Sequence, residues 1–140
     1  VTTLFTKIIN GELPGTFVWR DSECVAFLSI NPAQPGHTLV VPVTEVDHWI
    51  DLEPDLLNHL IGVAQIIARA QHAVYSPAKV GLLIAGLEVP HTHLHVIPIV
   101  NGEADLHLDR PSSPTPEELE TEAQKIRDCL RAAGEKNVSE

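Results

Sequence analysis

Residues 91–100 read HTHLHVIPIV, with His91, His93 and His95 at every second position. On an extended strand a period of two puts the three imidazoles on one face and Thr92, Leu94 and Val96 on the other. The apolar face anchors such a strand, and the histidine face is offered to something. Three physical readings stay open. The strand could lie at the surface with incidental histidines. It could hold a metal, because neutral imidazole ligates zinc and copper. It could also work as a nucleophile set, in which one imidazole nitrogen attacks while the other nitrogen of that ring is held by a carbonyl. At ~3.3 Å of rise per residue the outer Cα atoms lie about 13 Å apart. One ion with bonds of about 2 Å would take two neighbours easily, and all three only if the strand bends; His37 is a candidate ligand from elsewhere.

Just upstream, KVGLLIAG (79–86) is a short apolar run ending in glycine, the pattern of a buried strand, and LEVP (87–90) connects it to the histidines. Further back, Pro54 and Asp55 suit the first turn of a helix. Leu56, Leu60, Val63, Ile67, Ala70 and Val74 then recur every three or four residues up to Tyr75, which predicts a long helix. NPAQPG (31–36) is turn chemistry leading into a β-branched strand, His37 to Pro42. FVWRDSECVAFLS predicts a hairpin of strands 16–20 and 24–29 around Asp21-Ser22-Glu23, and Leu4, Phe5, Ile8 and Ile9 predict a short helix over 4–10. Downstream, Asn101-Gly102 opens a polar, proline-rich loop over 101–114. Thr115-Pro116-Glu117-Glu118 then offers a capping box for a last helix, 115–134, striped by Leu119, Ala123, Ile126, Leu130 and Ala133. That helix is expected to pack on the body of the domain or on a partner subunit.

A chain of 140 residues fits one domain, here 1–140 with a core over 4–100. The formal net charge of −10 argues against polymeric nucleic acid as a partner, because binding a phosphate backbone rests on lysine and arginine. No run reaches the roughly 20 apolar residues of a membrane helix, and VTTLFTKIINGELPG lacks the parts of a secretory signal, so no membrane partner and a cytoplasmic location are expected. Starting at Val1 with no methionine in the chain fits a removed initiator or a trimmed precursor. Cys24, in the apolar run CVAFLSI, and the distant Cys129 read as two free thiols.

HTHLHVIPI resembles the signature of the histidine triad (HIT) superfamily of nucleotide-binding hydrolases and transferases. The similarity continues through GLEVPH and through LFTKIINGELPGTFVWRDSECVAFLSINPAQPGHTLVVP, covering most of residues 4–99. The remainder, from Asn101 onward, is variable in the family and adds little. The resemblance implies an α+β, HIT-like fold: a five-stranded antiparallel sheet with a short N-terminal, a long central and a C-terminal helix, paired as a homodimer. It implies His93 as nucleophile on the α-phosphorus of a nucleoside phosphoramidate or related conjugate, through a nucleotidyl-imidazole intermediate. His95 would contact the phosphate and leaving group, His91 would orient the nucleophile, and His37 would stand near the site. Phe5, Ile8, Phe27, Leu28 and Ile30 would form an apolar slot for the base. Ser29, Gly86, Glu88 and Val89 would complete the nucleotide site, with no cofactor and no metal.

Six positions in four places depart from the family pattern. Ser29 replaces the aspartate that takes the ribose hydroxyls, and Leu87 and Glu88 replace small polar residues at the phosphate. Ala85 stands nearest the place of a phosphate-binding asparagine, and Thr3 and Thr6 replace the Cys-X-X-Cys of zinc-holding branches. A carboxylate about 4 Å from a phosphate oxygen is opposed by roughly 1 kcal/mol in water and by more in a drier pocket. Glu88 therefore points away, is protonated, or serves a cationic part of the substrate. Two other readings remain: a nucleotide-binding regulatory module with little turnover, and a metal-dependent protein using the triad.

Overall fold

The computed structural model describes residues 2–109 and 112–140; Val1 and, in the expected proline-rich loop, Arg110 and Pro111 lie outside the described residues. Five strands make one antiparallel sheet: β1 (Phe17–Arg20), β2 (Cys24–Leu28), β3 (Thr38–Pro42), β4 (Lys79–Ile84) and β5 (Leu94–Ile99), in the order β1-β2-β3-β5-β4. Three α-helices accompany it: α1 (Leu4–Ile9), α2 (Pro54–Tyr75) and α3 (Pro116–Ala132). The expected α+β architecture is the one observed.

Both faces of the central strands are covered, so β2 and β3 are buried at every position instead of alternating. On one face Ala26, Val40, Leu94 and Val96 pack with Leu60, Val63, Ala64 and Ile67 of α2 and Ala123, Ile126 and Leu130 of α3. Burying each of the larger aliphatic side chains contributes about 1.5 to 3 kcal/mol. On the other face Phe5, Phe17, Val25, Phe27, Leu39 and Val41 make a smaller cluster under α1. Residues opposite one another share a face, and the register sets Phe27 against Leu39 and Leu39 against His95. His95 therefore emerges on the α1 face, beside the smaller cluster.

The helices end where their chemistry says. Proline sits at the first position of α2, and Ser76, in the left-handed region at φ 47°, stops it. Thr115 and Glu118 form the expected capping box at α3. α3 packs on the body of its own chain, and Ala133 is exposed at the C-cap, so the apolar stripe closes at Leu130. Two 3₁₀ turns, Trp49–Asp51 and Gly102–Leu106, lie outside the main elements, the second in the loop expected over 101–114.

Tertiary contacts missed from the sequence hold the chain end. The Arg20 amide donates to the Asn137 carbonyl at 2.8 Å and the Ser139 amide to the Val18 carbonyl at 3.1 Å, so the tail lies along the edge of β1. Arg127, buried, donates to the Phe17 and Ser139 carbonyls at 2.8 and 3.0 Å and pairs with Glu120. Asp21 is a second hub, accepting from the Trp19 indole and from the Glu23 and Cys24 amides, with His59 at 2.8 Å. Burial pushes its carboxyl upward, but these hydrogen bonds prevail and bring it down to about 2.

Candidate active site

The three histidines do not share one straight strand. Only His95 lies in β5; His91 and His93 precede it in a tight turn, where the His91 amide donates to the Val89 carbonyl at 2.7 Å and the Thr92 amide to the Val46 carbonyl at 2.7 Å. These bonds compete with sheet pairing and bend the chain, which corrects the expected strand over 91–100. Nor is the whole histidine face offered outward: His91 is fully buried and His93 is 7% exposed.

The hydrogen bonds settle which nitrogen of each ring carries a proton. The Ala33 amide donates to His37 Nδ1 at 3.0 Å, so the His37 proton is on Nε2 and is donated to His95 Nδ1 at 2.9 Å. His95 must then carry its own proton on Nε2. On the other side His93 Nδ1 donates to the His91 carbonyl at 2.8 Å, which leaves His93 Nε2 with a free lone pair. His91 Nε2 donates to the Pro42 carbonyl at 2.7 Å, and its Nδ1 accepts from the Thr3 hydroxyl at 2.6 Å. Phe5 closes on His93 edge to face at 4.9 Å between centroids, and the His93 and His95 rings meet at the same separation. Neutral imidazoles are what this arrangement needs. Burial, with repulsion from the neighbouring rings, holds His37 down to about 4 and His95 to about 3; His91 and His93 are also lowered, chiefly by burial.

Gly36 fixes the loop that delivers His37. Its φ is +89°, and a Cβ there would meet the Tyr75 ring at 2.3 Å, so only glycine fits. The buried Gln71 amide donates to the Gly36 and Val96 carbonyls, both at 2.9 Å, joining this loop to β5 through α2.

A cleft opens over these rings as two connected recesses of about 310 and 470 Å³ that share Phe5, Ser29, Asn31, Leu39, Glu88 and Val89. The polar recess holds His37, His93, His95, Gly86 and Leu87, and the apolar one holds Ile8, Phe27, Leu28 and Ile30. Every expected site residue except His91 therefore lines the cleft, and His91 stands behind His93. Phe27 and Leu28 are core and lining at once, whereas Ile30 is 70% exposed at the mouth. The sequence reading took Thr3 only for the place of a zinc-branch cysteine and missed its contact behind the triad, and it missed Asn31 and Asp109 at the rim. It also missed Pro114, Pro116 and Leu119, which line the apolar recess as well. Thr3 carried a signal, as a helix N-cap two residues before Phe5; the later residues carried none.

The match to the HIT domain spans residues 10–101, well over half of the chain. The chain belongs to the HIT family. It is 36% identical over 107 residues to a HIT-like protein of Methanocaldococcus jannaschii, covering 74% of this chain and 83% of that one. It is 28% identical over 137 residues to the adenosine 5′-monophosphoramidase of Schizosaccharomyces pombe, covering 94% of this chain and all of that one. The fold is similar to a HIT-like protein of Bartonella henselae, with TM-score 0.81 and 29% identity over 91% of this chain and 96% of that one. It is also similar to a zinc-bound histidine triad protein of Mycobacterium smegmatis, with TM-score 0.80 and 28% identity over 95% and 96%. HIT membership supports a nucleotide hydrolase or transferase in kind.

Whether the HIT triad itself holds a metal is a question of convergence. Among the described residues, the one trio of His, Cys, Asp and Glu ligand atoms mutually within 4.8 Å is Asp21, Cys24 and His59, away from the triad. Both His91 nitrogens and both His37 nitrogens are engaged in the bonds above, and His95 carries its proton on Nε2, so His93 Nε2 alone of the four rings presents an unengaged lone pair. Also among the described residues, no helix is long and apolar enough to cross a membrane.

Proposed function

We propose that this protein hydrolyses nucleoside phosphoramidates or related nucleotidyl conjugates through a nucleotidyl intermediate on His93. The observation that carries the reading is the tautomer chain. The His91 carbonyl fixes His93 with Nε2 unprotonated toward the cleft, and Ala33 and His37 fix His95 with an N–H to donate. The substrate nitrogen takes one proton from solvent, and His93 Nε2 then attacks phosphorus, forming a P–N bond to the imidazole as the bond to that protonated nitrogen breaks. The amine leaves neutral, keeping that proton. Water then attacks phosphorus, releases one proton to solvent, and frees the nucleoside monophosphate and neutral His93. His95, held neutral, donates a hydrogen bond to a phosphoryl oxygen rather than a proton to the leaving group. The Glu88 and Asp109 carboxylates at the cleft oppose a polyphosphate and favour an amine leaving group.

His93→Ala tests this. Turnover of a fluorogenic adenosine phosphoramidate should be abolished while AMP binding stays within about tenfold, because the nucleophile acts mainly in the chemical step. Retained turnover would remove the assignment.

The same reading includes a homodimer. β4 is an edge of the sheet, and its Leu82 (47% exposed) lies with Ile61 of α2 (39% exposed) along one groove, an apolar edge suited to a second copy. Light scattering at micromolar concentration should give twice the chain mass, and Leu82→Lys should halve it. A wild-type monomer would refute the pairing.

A further inference from the structure

We infer that Pro114, Pro116 and Leu119 form the outer wall of the nucleobase slot and set base selectivity from within the same chain. This rests on the nucleotide reading above and assigns the slot a wall that lies beyond the matched HIT region, which ends at residue 101. The apolar recess is lined by Phe5 and Ile8 of α1 with Phe27 of β2. The start of α3 supplies further apolar lining through Pro114, Pro116 and Leu119. A planar base needs two apolar surfaces, and without these three residues the recess would lose part of its enclosure to solvent.

The wall is held rigidly. Leu119 is buried in the core cluster shared by the sheet, α2 and α3, so the first turns of α3 cannot lift without exposing it. The reciprocal bonds of the capping box, 3.0 and 3.1 Å, together with Pro116 at the first helical position, fix the chain entering the helix. Asn31 then ties the wall to the sugar side of the cleft. Its side-chain amide donates to the Ser112 carbonyl at 2.8 Å and to the Ser113 hydroxyl at 3.4 Å, and its backbone amide donates to the Ser29 hydroxyl at 3.2 Å. Ser29, expected at the ribose, and Pro114, assigned by this inference to the base, are thus spaced by one short hydrogen-bonded path. The wall presents proline rings and a leucine, without side-chain donors or acceptors, so it selects by area: purines over pyrimidines.

The test is a double variant, Pro114→Ala with Pro116→Ala, in the full chain; Leu119 is left intact because its loss would open the core. Neither proline is fully buried, and the melting temperature serves as the check on folding. Removing the two rings should raise KM for an adenosine phosphoramidate about tenfold, the effect of uncovering several tens of Å² of apolar contact, with kcat little changed. The loss should be smaller for cytidine, and less than twofold for a ribose 5′-phosphoramidate that carries no base, so purine preference collapses. Equal loss on all three substrates, or none, overturns the inference while leaving the nucleotide reading intact. If the wild type neither turns over these compounds nor binds AMP by calorimetry, the nucleotide reading falls and the wall falls with it.

Discussion

Lowering the pH from 7.5 to 5 should destabilise this protein through His37 and His95, and the structure sets the size of the effect. Both rings are neutral in the fold, with proton affinities held down to about 4 and about 3 against 6.5 for a free imidazole. Between those values the unfolded chain binds more protons than the folded one, so stability rises with pH and is lost on acidification. It is fully present above 6.5, and pH 5 lies 1.5 units below the unfolded value of each ring, so the loss by then is about 2 kcal/mol per ring at 1.36 kcal/mol per unit. The pair together contributes a loss of about 4 kcal/mol, a large share of a typical domain's 5 to 15. Urea denaturation at half-unit steps from pH 7.5 to 5 measures it. The double variant His37→Asn with His95→Asn cancels the carboxylate background and should lose about 4 kcal/mol less than the wild type over that range. Equal pH slopes for the two proteins would show that the rings are not kept neutral, and the tautomer chain would fail with them.

Thr3→Val leaves the buried His91 Nδ1 without its donor, which costs about 1 to 3 kcal/mol; kcat should fall several-fold as His93 loosens, and Thr3→Ser should restore it. An unchanged kcat in Thr3→Val, with only the melting temperature lowered, would make Thr3 merely a helix cap. At the sugar, one Ser29 hydroxyl replaces a charged acceptor, so AMP and deoxy-AMP should bind with similar affinity by calorimetry. Ser29→Asp should then create a ribose preference of roughly ten- to a hundredfold. Glu88→Ser should tighten AMP binding, most at low salt where screening is weakest. A strong ribose preference in the wild type, with no response to Glu88→Ser, would show that neither residue faces the ligand as placed.

The local signals in the sequence were strong enough to fix the elements. The 3.6-residue stripe from Leu56 to Ile67 with Pro54 at its start, the capping box at Thr115 and the β-branched run before Pro42 each gave an element within a residue or two of its observed bounds. These depend on neighbours along the chain, where sequence spacing is spatial spacing. The triad motif likewise named the chemistry-bearing side chains. What it could not give was their surroundings. The strand period failed at His91 and His93 because bonds from their turn to Val89 and Val46 outweighed the alternation. The proton positions on the four imidazoles come from Ala33, Pro42, Thr3 and the His91 carbonyl, three of them far from the triad in sequence. The segment after Asn101, expected to add little, supplies Asp109, Pro114, Pro116 and Leu119 to the cleft. Such contacts join residues that no periodicity relates, and burial of Leu119 and Arg127 together with the Asn31 bonds to Ser112 and Ser113 brings that segment over the site. Element type is thus determined within the chain's own local period, whereas ring tautomers and cleft walls follow from packing between elements and are decided only once the core has closed.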